Sequence, residues 1–66
     1  MISDPDAYRA AELMIESYGK DARARATLRL AEAVRREDFG GAFAWRAIQQ
    51  AIEELQRQRR EDEALN

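Results

Sequence analysis

After Pro5 the chain contains no proline, and its three glycines fall at two places only, Gly19 and the pair Gly40-Gly41. Long stretches free of both residues permit helices, and the two glycine sites are where helices can stop or turn. Between these breaks the apolar residues recur at three- and four-residue spacing, the period of an α-helix. The sequence therefore predicts an all-α fold in one domain over residues 1–66, with helices at about 5–18, 22–37 and 39–60.

The boundaries have local causes. Asp4 can accept hydrogen bonds from the free N–H groups of a first turn, and Pro5 fits the first helical position. Gly19 is suited to a left-handed C-cap and is expected to have positive φ. Asp21 is expected to N-cap the second helix and Asp38 the third. Gly40 and Gly41 then lie in the third helix's first turn, where they would permit a tight corner and close approach of helix 2. The acidic end, residues 61–66, is expected to fray, because acids at a helix C-terminus oppose its dipole.

Each predicted helix has an apolar stripe. The first carries Ala7, Tyr8, Ala11, Met14, Ile15 and Tyr18. The second carries Ala24, Thr27, Leu28, Ala31 and Val34. The third carries Ala44, Trp45, Ile48, Ala51, Ile52 and Leu55, with Trp45 expected to be substantially buried between Ile48, Ile52 and the other helices. Two short connections favour antiparallel neighbours, hence a compact three-helix bundle or a helical hairpin plus a third helix.

Four large apolar residues fall off these stripes: Leu13, Leu30, Phe39 and Phe43. Leu30, with Ala26 and Ala33, makes a secondary strip on helix 2. Two explanations are open. A middle helix can need two buried faces, and single exposed apolar residues are ordinary. Alternatively these four include part of a surface for a partner or a second copy. Size favours attention to the second, since a 66-residue chain buries only about 60% of its unfolded surface. With no cysteine and no histidine, neither disulfides nor the usual zinc ligands can supplement the core. Oligomerisation or very good packing is what remains, and a homodimer or a complex with another protein is the expected partner state.

The same two absences remove most chemistry. Without histidine there is no ordinary neutral-pH acid–base group, and Ser3, Ser17, Thr27, Tyr8 and Tyr18 lack the usual activating base. The carboxylate pairs Glu12/Glu16 and Glu53/Glu54 and the run Glu61-Asp62-Glu63 are expected on solvated faces rather than flanking a cleft. Gly40-Gly41 lacks the spacing and the Lys-Ser/Thr of a phosphate loop. No catalytic, cofactor-binding or metal-binding residue is assigned, no small-molecule substrate is evident, and the expectation is a protein that is not an enzyme.

Net charge is −2, but residues 22–37 are locally basic, with five arginines against two glutamates. Arg25, Arg29 and Arg36 share a helix face, which makes nucleic acid the second partner to consider. Glu32 lies within that face at spacings that pair it with Arg29 and Arg36, and the chain as a whole is acidic, whereas phosphate binding usually comes with a basic domain. A solvated, ion-paired face explains these arginines better. The acidic start has no apolar leader and no segment approaches the ~20 apolar residues of a membrane span. A cytoplasmic protein without membrane association is expected.

The spacing Ala11-x-Leu13-x-Ile15-x-x-Tyr18-Gly19-x-Asp21-Ala22, then Ala26-x-x-Arg29, then Asp38-x-x-Gly41-Ala42-x-x-Trp45-x-x-Ile48-x-x-Ala51-Ile52-x-x-Leu55, resembles a group of short three-helix proteins of alphaproteobacteria to which no activity is assigned. The resemblance covers most of Tyr8 to Leu55. It implies a bacterial, cytoplasmic, helical protein and carries over no functional residue. The corner from Asp38 to Ala42 also resembles the inter-helix turn of tetratricopeptide repeats, without that family's repeat.

Overall fold

The computed structural model describes the backbone of residues 4–64 and the side chains of residues 4–59. Three helical segments follow one another: α1 (Pro5–Tyr18), α2 (Ala22–Arg35) and α3 (Phe39–Ala64). There is no strand among the described residues. The fold is all-helical.

A single 3-10 turn, Gly19–Asp21, joins α1 directly to α2. The two segments are therefore one helical path bent at Gly19, and α3 is a second path running back along it. Most inter-helix packing is made by α3, against α2 and then α1, while α1 and α2 touch each other least. The arrangement is closer to a hairpin with one bent arm than to three rods side by side. It measures 45 × 23 × 15 Å.

The start of α1 is as expected. Asp4 Oδ1 accepts from the N–H groups of Asp6 at 3.0 Å and Ala7 at 3.3 Å. At its end Gly19 has φ 55° and ψ −126°. The sign of φ is as expected, but the basin is not the left-handed helical one. It is that of the first central residue of a type II′ turn, which L side chains avoid. Asp21, by contrast, makes no capping bond with its side chain. The 3-10 turn explains this, because it runs straight into α2 and Gly19 O already receives the Ala22 N–H.

The second helix ends at Arg35, two residues before the predicted limit. Glu37 N donates to Val34 O at 3.0 Å and Asp38 N to Ala33 O at 2.9 Å. These two bonds form a Schellman motif, with Glu37 at φ 59° in the position glycine usually takes. Asp38 closes that motif and at once caps α3: its Oδ1 accepts from Gly41 N at 2.9 Å. Gly41 admits this carboxylate, since a Cβ there would lie 2.8 Å from Asp38 Cγ. The close approach expected for helix 2 is thus an approach of the cap. Because Glu37 sits where its Cβ is unfavourable, Glu37→Gly is expected to stabilise the fold by about 1 kcal/mol in urea unfolding. A variant less stable than the parent would contradict the capping account.

α3 extends through Ala64, past the predicted limit at residue 60. Arg, Glu, Gln and Ala, which dominate this stretch, are among the best helix formers, and their summed propensity outweighs the unfavourable end charges. The calls on Leu65 and Asn66 lie outside the described residues.

Packing brings the largest correction. Among the described residues the buried ones are Ala7, Ala11, Ile15, Ala22, Ala26, Ala33, Ala51 and Ile52. On α2 the buried stripe is Ala22–Ala26–Ala33 with half-buried Leu30, the strip taken as secondary. The predicted stripe of Ala24, Thr27, Leu28, Ala31 and Val34 is exposed along its length. Alanine at successive turns lets α2 lie close to α3, and neighbouring polar groups lock that rotation. Arg23 Nε meets Glu53 Oε1 at 2.7 Å, and one turn on Gln49 Nε2 donates to Thr27 Oγ1 at 2.7 Å. Ile52 is the largest fully buried side chain among the described residues, while Tyr8, Met14, Trp45, Ile48 and Leu55 pack on the core from its edge.

Candidate interaction surface

Of the four off-stripe residues, Leu13, Phe39 and Phe43 are exposed at 59%, 68% and 80%. Leu30 is half-buried because it belongs to the alanine stripe of α2. It is withdrawn from the surface. Leu28 and Val34, assigned to the core from their spacing, take its place at 58% and 51% exposure. Phe39 and Phe43 stand one turn apart on the outer side of α3, where the same stripe continues into Arg46 and Gln50.

The structure also places a groove where the bent arm crosses α3. Met14 and Tyr18 of α1, Leu28 of α2 and Trp45 of α3 form its apolar lining, around a volume of about 270 Å³. Its remaining walls are Arg25, Arg29 and Glu32. The Arg25 guanidinium lies 5.0 Å over the Tyr18 ring, a cation–π contact that holds both side chains at the groove wall. Trp45 is half-buried here rather than enclosed, packing on the core from its edge and lining the groove. Sequence spacing could not find this feature, since it depends on the angle set at Gly19.

The arginines of α2 remain in water, as expected, but are not equivalent. Arg25 is held by Tyr18, and Arg29 meets Glu32 only at 3.9 Å. The pairing of Glu32 with Arg36 does not occur among the described contacts. Arg23, expected merely to extend the basic character, spans to Glu53 instead.

That bond corrects the view of Glu53 and Glu54 as a solvated pair. Both are half-buried and each serves a different helix. The Tyr8 hydroxyl donates to Glu54 Oε2 at 2.5 Å, tying the start of α1 to α3. Gln56 Nε2 donates to Gly19 O at 3.1 Å and so satisfies a carbonyl at the bend. No buried side-chain polar atom lacks a partner, and no group of three or more acidic, histidine or cysteine side chains comes together, among the described residues.

The bond to Glu54 raises the Tyr8 pKa above its usual 10.0, with desolvation and the Glu54 charge adding to it. A raised folded-state pKa means that the neutral phenol is favoured by folding. Its contribution is complete below the unfolded-state value and is lost as pH rises through the folded-state value. Stability is therefore expected to fall above about pH 10, and Tyr8→Phe should remove that part of the alkaline loss. Thermal unfolding followed by circular dichroism across the alkaline range would check this. Identical alkaline profiles for parent and variant would discard the coupling.

No helix among the described residues is long and apolar enough to cross a membrane. No family model, curated protein or solved structure matches the chain.

Proposed function

We propose that this chain is a non-enzymatic helical interaction module that acts as a homodimer in a bacterial cytoplasm. The observation that carries the reading is an inversion of side-chain size. Among the described residues six of the eight buried ones are alanines, while Leu13, Tyr18, Leu28, Val34, Phe39 and Phe43 are exposed. A core built chiefly of alanine removes little apolar area from water, and area removed is what stabilises a fold.

Pairing through a self-complementary patch would cover these exposed side chains once on each copy.

Sedimentation equilibrium at micromolar concentration is expected to give a dimer, with a melting temperature that rises with protein concentration. A folded monomer whose melting is independent of concentration would sink the proposal. Nucleic-acid contact through Arg25, Arg29 and Arg36 is the lesser reading. Its support is the exposure of all three, set against the contacts that Arg25 and Arg29 already make. Duplex binding that weakens steeply with salt would favour it over the first.

A further inference from the structure

We propose that α3 is an exchangeable arm: in the dimer each copy seats its α3 on the bent arm of the other, and α2 runs into α3 as one helix. The proposal rests on the self-association reading and adds the route by which the copies join. Three observations carry it.

The first is the distribution of contacts. Most packing between helices is made by α3 against the bent arm, whose own halves, α1 and α2, touch each other least. The side-chain bonds divide in the same way. Tyr8 to Glu54, Arg23 to Glu53, Gln49 to Thr27 and Gln56 to the Gly19 carbonyl each join α3 to that arm. Every one of them forms between two chains as well as within one, because the seat is the same whichever copy supplies α3.

The connection is the second. Residues 36–38 alone join α2 to α3, and short, strained hinges favour exchange over closure. Arg36 already lies in the right-handed helical region, at φ −84° and ψ 0°. Glu37, at φ 59°, is the one residue of the connection whose φ must change sign for the helix to continue. No proline follows Pro5, and Gly40 and Gly41 are helical in α3 already. In the hairpin the N–H groups of Glu37, Asp38 and Gly41 are bonded. A continuous helix offers those three, and Phe39 and Gly40 as well, a carbonyl four residues back. Exchange thus relieves the strain at Glu37 without giving up a backbone hydrogen bond.

The third is what flanks the hinge. In an exchanged pair each chain crosses once between the two packed units, so both hinges span the same gap about the two-fold axis. Val34, Phe39 and Phe43 lie within six residues of Glu37, and the hairpin leaves all three exposed. The contact that exchange adds is made around that gap, where large apolar side chains stand in water.

Cross-linking reads the exchange directly, since the chain has no cysteine of its own. Thr27→Cys and Gln49→Cys together place thiols on α2 and α3 where the two side chains meet. A short bis-maleimide joins them within one chain in a hairpin and between chains in an exchanged pair. On a denaturing gel the dimer's product is expected at twice the mass of the chain. Sedimentation equilibrium is run on the parent and on Glu37→Gly, with circular dichroism confirming that the variant remains helical. Glycine favours the closed turn and disfavours the continuous helix, so the dimer dissociation constant should rise at least about ten-fold. A dimer whose cross-linked product stays at the mass of one chain would overturn the exchange and leave self-association standing. So would equal dissociation constants for the parent and Glu37→Gly, a comparison that needs no cysteine. A parent that is monomeric throughout would remove both.

Discussion

Ile52→Ala is expected to remove a large share of the fold's stability. Ile52 is the largest fully buried side chain among the described residues, in a core whose other members are mostly alanine. Truncating a buried isoleucine to alanine costs about 2–5 kcal/mol, the sum of lost transfer energy and the cavity left behind. A domain of 66 residues has a total stability of about 3–10 kcal/mol at the usual value per residue. The helices around Ile52 are positioned by polar bonds at Glu53, Glu54 and Gln49, which hinders collapse into the cavity and favours the upper part of the range. Trp45→Ala removes a larger side chain yet is expected to cost the monomer less than Ile52→Ala, because Trp45 lies at the core's edge. Urea unfolding at one fixed protein concentration checks both, the concentration being held because dimerisation would stabilise the parent by mass action. If Ile52→Ala unfolds at the parent's midpoint, the core has been misplaced.

The contrast between these two positions shows what the sequence could and could not disclose. Residues with strong local chemistry were legible. Asp4-Pro5, Gly19 and Asp38 each have a side chain, or lack one, in a way that decides the backbone within a few residues. The same holds for the stripe Ala7–Ala11–Ile15 on α1 and the seam Trp45–Ile48–Ile52 on α3. The rotation of α2 was not legible, since spacing favoured the stripe with Leu28 and Val34 while packing chose the one with Ala22, Ala26 and Ala33. The choice depends on a neighbour, since alanine gains its value from the helix that can come close to it. Thr27 bonding to Gln49 and Arg23 to Glu53 then hold the side chains of the discarded face in water. Glu37 in a left-handed conformation was hidden for a different reason, because nothing in its side chain announces a C-cap. Of the candidate surface, Leu13, Phe39 and Phe43 could be found from sequence. The groove could not, since Met14, Tyr18, Leu28 and Trp45 belong to three segments brought together by a bend whose angle is not written in any spacing.

That bend gives the second large effect, and its sign can be reversed by chirality alone. Gly19 combines φ 55° with ψ −126°, and its carbonyl is held by Gln56 of α3. A Cβ of L configuration at this position would have open space around it, with nothing within 4 Å. Any penalty for substitution is therefore a backbone penalty. Holding an L residue in such a region costs about 1–3 kcal/mol, and a β-branched residue belongs toward the upper end because its own side chain is stiff. Gly19→Ala is thus expected to destabilise despite the free space, and Gly19→Val to do so more. For a D residue the same angles mirror φ −55°, ψ 126°, which lies in the broad extended region open to every L residue. D-alanine at position 19, introduced by chemical synthesis, should avoid the strain and restrict the unfolded chain, a gain of about 0.4–1 kcal/mol for a replacement of glycine without strain. Urea midpoints should then run in the order D-Ala, Gly, L-Ala, L-Val. Equal stability of the D- and L-alanine chains would mean that α1 enters α2 by another route, and the groove over Trp45 would lose the bend that shapes it.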